Sequence, residues 1–104
     1  MIVVMAHENI VEEVVAKALR TGADSIEVEY KHPHEWVFAI GGGIGFGIAS
    51  FDGSSAEAKA LRKELYALKK KKKRIAIDGA EYELRVQVYD SFGEDAFRIL
   101  PRRV

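Results

Sequence analysis

The chain has no cysteine, only two prolines among 104 residues, and no net charge. Without cysteine there is no disulfide, no iron–sulfur cluster and no thiolate-held zinc, and the redox compartment is left unspecified. The start, MIVVMAHENI, has no basic lead, and its apolar run is too short for a signal peptide or a membrane span. The expectation is a cytoplasmic protein with no membrane span. A neutral total argues against a dedicated nucleic-acid binder, which is usually basic overall. No Ser/His/Asp or Cys/His set stands at a spacing that names a reaction, so no catalytic residue is assigned and the chain is not read as an enzyme.

What is present is ordinary globular material: 48% apolar and 31% charged residues. The length fits a single domain over residues 1–104 with one core and two layers. Charge is unevenly placed. Residues 1–58 hold 9 acidic and 3 basic side chains, and residues 59–104 hold 7 and 13. Such halves attract each other within a fold or between subunits.

Residues 2–5 form an apolar lead-in or a short edge strand. Asn9 with Glu12 makes a capping-box-like pair. Ile10, Val11, Val14, Val15, Ala18 and Leu19 then recur at helical spacing, and Gly22 supplies a left-handed end. Ser25 to Tyr30 alternates as a half-buried strand, His32-Pro33-His34 turns, and Trp36 to Ile40 is a second strand. Ile44 to Ser50 makes a third strand, thinned by Gly45 and Gly47. Ser54, with Glu57, caps a second helix whose stripe is Ala58, Leu61, Leu65 and Leu68 and which ends near Lys69 or Lys70. Arg74 to Asp78 is a strand, Asp78-Gly79 a hairpin turn, and Glu81 to Tyr89 an alternating strand. Asp90 to Glu94 reads as a loop and Ala96 to Leu100 as a last strand closed by Pro101. The order predicts an α+β two-layer sandwich, with two helices packed on one face of a mostly antiparallel sheet of about five to six strands. The halves share this order, although their residues do not repeat convincingly.

Three groups of residues invite a function. The basic run Lys69, Lys70, Lys71, Lys72, Lys73 and Arg74, joined by the strand arginines Arg85 and Arg98, is the candidate interaction surface. It suits a protein partner or a second copy of the chain, and alternatively phosphates of nucleic acid. It has no interleaved aromatic to stack bases. The run GGGIGFG, through Gly43 and Gly45, is a candidate anion contact by its backbone amides and gives a second alternative, a small phosphate- or nucleotide-binding enzyme, but it lacks the Lys-Ser/Thr of a phosphate loop and the GxGxxG spacing. His32, His34 and Glu35 fall short of a metal set, so no metal and no cofactor is assigned.

From Ile10 to Leu100 the chain resembles the N-terminal domain of type II secretion and type IV pilus-assembly ATPases. The phrases that carry the likeness are Ala18-Leu19-Arg20-Thr21-Gly22-Ala23 at a helix end, Ile77-Asp78-Gly79, Leu84-Arg85-Val86, and Gly93-Glu94 before Arg98-Ile99-Leu100. The resemblance implies a domain that caps a hexameric motor and helps position its nucleotide without catalysing anything. Two departures bear on the nucleotide. The family's Ser-Asp-Ile-His is Asp24-Ser25-Ile26-Glu27 here, and Trp36 to Ile40 has no arginine. The sequence also has no Walker A motif, so the resemblance carries an assembly or regulatory role further than a nucleotide contact.

Overall fold

The computed structural model describes residues 9–104, so the lead-in at residues 2–5 lies outside the described residues. Two helices and six strands follow in the order α1 (Ile10–Arg20), β1 (Ser25–Lys31), β2 (His34–Gly41), β3 (Ile44–Asp52), α2 (Ala56–Lys70), β4 (Lys73–Ile77), β5 (Ala80–Ser91) and β6 (Glu94–Arg103). The strands form one antiparallel sheet in the order β3-β2-β1-β6-β5-β4. The α+β class therefore holds, with six strands.

Alternation decides which side of the sheet is dry. The register sets Val28 between Val37 and Phe97, and Ile26 between Ala39 and Ile99, with Val86 beyond Ile99. Opposed residues share a face, so these side chains make one apolar surface. The buried stripe of α1 (Ile10, Val11, Val14, Val15, Ala18) and Leu61 and Leu65 of α2 belong to the same core cluster. No helix among the described residues is long and apolar enough to cross a membrane.

Each half runs helix then three-strand meander, but the second meander enters the sheet from the outside. β1 lies at the centre of the sheet and β4 at its edge, so the halves do not occupy equivalent places. The two meanders pair strand to strand through β1 and β6, over Ile26↔Ile99, Glu27↔Arg98 and Val28↔Phe97.

Several local expectations are corrected. Asn9 precedes α1 without a side-chain cap, so the pair with Glu12 does not form. The cap of α2 is Ser55 rather than Ser54: Ser55 Oγ accepts from the Ala58 amide at 3.1 Å. Ser54 is held instead by Asp52, whose Oδ1 accepts from both its amide and its hydroxyl. The loop expected at Asp90 to Glu94 is a tight turn, with strand structure up to Ser91 and again from Glu94. Phe92 (φ 52) and Gly93 (φ 84) occupy its centre. Two positive φ values match the twist of the flanking strands. Pro101 does not close β6 but sits within it, opposite Leu84.

Candidate interaction site

The lysine run straddles three pieces of structure. Lys69 and Lys70 end α2, Lys71 turns extended (φ −147, ψ 123), and Lys73 and Arg74 open the edge strand β4. Cations at a helix C-terminus are favoured by the exposed carbonyls there.

The fold divides the run in two. Lys73 Nζ lies 3.1 Å from Glu12 Oε2, Arg74 Nη1 3.7 Å from Glu81 Oε1, and Lys72 Nζ 3.9 Å from Glu83 Oε1. Arg102 also reaches Glu83, at 3.1 Å, and these cations hold its carboxyl below the usual glutamate range, Arg102 foremost. Lys69, Lys70 and Lys71 have no such acid within bridging distance among the described residues. Neither has Arg85, which is exposed on β5.

The lysines border a notch in the sheet beside residues 85–87 of β5, where the exposed Arg85 and the buried Val86 alternate to opposite faces. Pairing of β4 with β5 stops at Lys73↔Leu84, while β5 continues to Ser91 beside β6 alone. Beyond Leu84 the β4 side of β5 therefore has no strand partner among the described residues. A cleft of about 200 Å³ occupies this corner, lined by Leu68, Lys69–Lys72 and Arg85–Gln87. Leu68 and the buried Val86 give it an apolar part, next to the lysines of 69–72.

Arg98 is placed elsewhere. Its Nε and Nη2 donate to Glu27 Oε2 at 3.2 and 3.1 Å, and its guanidinium lies 5.0 Å from the centre of the Tyr89 ring. The Tyr89 hydroxyl and Ser91 Oγ donate to the two oxygens of Glu29 at 3.3 and 3.1 Å. Burial, with Glu27 and Glu29 adding to it, pushes the Tyr89 hydroxyl far above its ordinary range. This network ties β1, β5 and β6 together, so Arg98 stitches the sheet and does not join the cationic notch.

The glycine run is a hairpin and an edge strand. Gly42 (φ 59) and Gly43 (φ 82) form the β2–β3 turn, and the Gly42 amide donates to Asp24 Oδ2 at 3.3 Å. That amide already faces a carboxylate, whose charge repels a second anion. Gly45 and Gly47 lie in β3 opposite Ile40 and Phe38. A Cβ on Gly47 would fall 3.1 Å from Trp36 Cζ3, so the missing side chain makes room for the stacked Trp36 and Phe38 rings. His32 Nδ1 pairs with the Tyr30 hydroxyl at 2.8 Å, beside a cis His32-Pro33 bond. No metal-holding group of three His, Cys, Asp or Glu side chains occurs among the described residues.

One functional candidate escapes the sequence reading. Phe92 is fully exposed, at 103% of its reference surface, at the tip of the β5–β6 hairpin. Asp90, Glu94 and Asp95 stand around it, all exposed. The signal was the acid-flanked Phe-Gly pair inside Asp90 to Glu94. A bulky residue in the left-handed region is uncommon enough that nothing in the sequence marks Phe92 as a turn centre. A second apolar exposure, Ile44 and Phe46, lies at the start of β3.

No family model matches this chain, and no curated protein matches it significantly.

Proposed function

We propose that this chain is a non-catalytic, cytoplasmic protein-interaction domain, with two helices covering one face of its sheet, that binds an acidic segment of a partner in the notch at the end of α2. The observation that carries this reading is the division of the basic run. Lys72, Lys73 and Arg74 lie beside the chain's own acids, whereas Lys69, Lys70, Lys71 and Arg85 have no bridging acid among the described residues and line a cleft with Leu68 and Val86. Such a site suits a segment with carboxylates around one apolar side chain: the cations take the charge and Leu68 and Val86 take the side chain. The bare edge of β5 offers main-chain groups to an extended segment, which is how strand addition gains affinity. The resemblance to the N-terminal domains of secretion and pilus-assembly ATPases supports an assembly role of this kind.

The nucleic-acid reading has less behind it. Four cations without a bridging acid among the described residues contact about four phosphates, a salt slope near −3.6 in log K against log salt, which makes for weak binding at physiological salt. No aromatic lines the cleft for base stacking. Fluorescence anisotropy with an acidic peptide carrying one leucine, run beside a short duplex DNA in a salt series, tests the choice. Binding of the peptide that disappears when Lys69, Lys70, Lys71 and Arg85 are all changed to glutamine supports the reading. Tighter binding of duplex than of peptide at physiological salt overturns it.

A further inference from the structure

Phe92 has an aromatic ring wholly in solvent and a backbone in the region that glycine and asparagine favour. A phenylalanine there costs about 1 kcal/mol or more relative to the right-handed regions. No core contact among the described residues repays it. Around it, Asp90 Oδ2 accepts from the Gly93 amide, Asp95 Oδ2 accepts from the Tyr66 hydroxyl, and Glu94 makes no hydrogen bond among the described residues. The hairpin tip is thus an apolar knob flanked by carboxylates, with Lys31 and His32 on the other side of the cleft it borders.

The notch is its complement in both respects, with Leu68 and Val86 beside a row of lysines. We propose that the acidic segment bound by the notch is the β5–β6 hairpin tip of a second copy of this chain, with Phe92 seated on Leu68 and Val86 and with Asp90 and Glu94 facing Lys69–Lys71 and Arg85. This inference rests on the reading of the notch given above and names its partner. A copy cannot serve itself. Val86 and Phe92 belong to the same strand and its turn, six residues apart, so the tip stands roughly 20 Å from the notch and points away along β5. Each copy therefore offers one knob and one notch on different parts of its surface. That is a heterologous contact, which continues from copy to copy until it closes a ring or runs on as a filament. A contact of this size lies at the low end of specific interfaces, so assembly depends on protein concentration, and exposed charge makes it weaken with salt.

The test is sedimentation velocity over a concentration series, using the full chain and two variants. Phe92→Asn removes the knob and leaves an Asn-Gly turn, which this backbone favours, so the fold is retained. Lys70→Glu with Arg85→Glu reverses the notch and leaves the knob. The wild type is expected to grow in mass with concentration and to shrink with salt. F92N is expected to raise the dissociation constant about 30-fold, as loss of an aromatic anchor does. Each variant alone is expected to be monomeric, and a 1:1 mixture to form a heterodimer that grows no further, because only one knob–notch pair remains. A wild type monomeric at every concentration overturns the proposal, as does assembly that survives F92N but is lost in Phe46→Lys, which would place the contact at the start of β3. An acidic peptide titrated into the same wild-type sample separates the two levels: if the peptide binds while the protein stays monomeric, the self-pairing falls and the notch reading stands; if neither occurs, both fall.

Discussion

Arg62 Nη1 lies 3.0 and 3.1 Å from the two carboxylate oxygens of Glu35, and this pair links α2 to β2. Glu35 is 2% exposed and sits on the core side of the sheet, while Arg62 keeps 26% of its side chain in solvent and lays its guanidinium 5.1 Å from the centre of the Phe97 ring. The two partners are therefore unequal. Arg62→Met strands a carboxylate in the core and is expected to cost about 3 kcal/mol, the scale of a broken buried pair. Glu35→Gln leaves an arginine that turns to water and an amide oxygen that still accepts, so it costs less. Urea unfolding of the two variants checks the order; equal losses contradict it.

The same pair sets a pH dependence. Burial pushes the Glu35 carboxyl above the usual glutamate range, with Arg62 opposing the shift. A carboxyl raised in the folded state gives stability that is complete below its unfolded value, about 4.3, and is lost as pH rises through the folded one. Arg62→Gln removes the opposing charge, so the Glu35 titration moves further up and the loss extends toward neutral pH. Carboxyl chemical shifts of Glu35 in the two proteins measure this; an unmoved midpoint in R62Q refutes the assignment.

Gly47 and Gly45 respond differently to a methyl group. At Gly47 the new Cβ meets the Trp36 ring at 3.1 and 3.3 Å, and the ring must move. Gly47→Ala is expected to destabilise by about 1 kcal/mol, the low end of overpacking, and to change the tryptophan emission. At Gly45 the Cβ comes within 2.6 Å of Ile40 Cδ1, the far end of a side chain that can rotate away. Gly45→Ala is therefore the milder change, with emission unaltered. Thermal melts with fluorescence distinguish the two.

Phe92→Asn replaces a bulky left-handed residue by one suited to that backbone. It is expected to raise stability by roughly 1 kcal/mol while weakening self-association about 30-fold, so the two measurements move in opposite directions. A variant less stable than the wild type argues that the Phe92 backbone is unstrained.

Ser55→Ala removes the bond to the Ala58 amide and is expected to cost about 1 kcal/mol. Ser54→Ala, outside the helix, costs less. The reverse order in denaturant melts places the cap at Ser54 after all.

Periodicity made most of this fold legible. The α1 stripe, the Asp78-Gly79 turn and the alternation from Tyr82 to Val88 each stand in the structure where the sequence places them. The misreadings have local causes. Phe92 hid a turn because its side chain does not advertise the left-handed region. Pro101 suggested a strand end because proline cannot donate to a ladder, yet β1 pairs with β6 only as far as Ile99. Beyond that point one side of β6 is an outer edge, where a missing N–H is tolerated. Asp52 drew Ser54 into its own turn and passed the cap to the next serine. The basic run was plain in the sequence, but its division was not. The acid beside Lys73 is Glu12, 61 residues away, and only the fold brings them together.

The joining of β1 to β6 bears on how the chain reaches this state. The first and last described strands meet at the centre of the sheet, bonded between residues 71 apart at Arg98 and Glu27. Each meander can zip locally, but the middle of the molecule must wait for its last strand, and closing so long a loop is slow. During synthesis at the ribosome, the half-made protein holds β1 with one side bare until β6 emerges, and for that interval a central strand is an open edge.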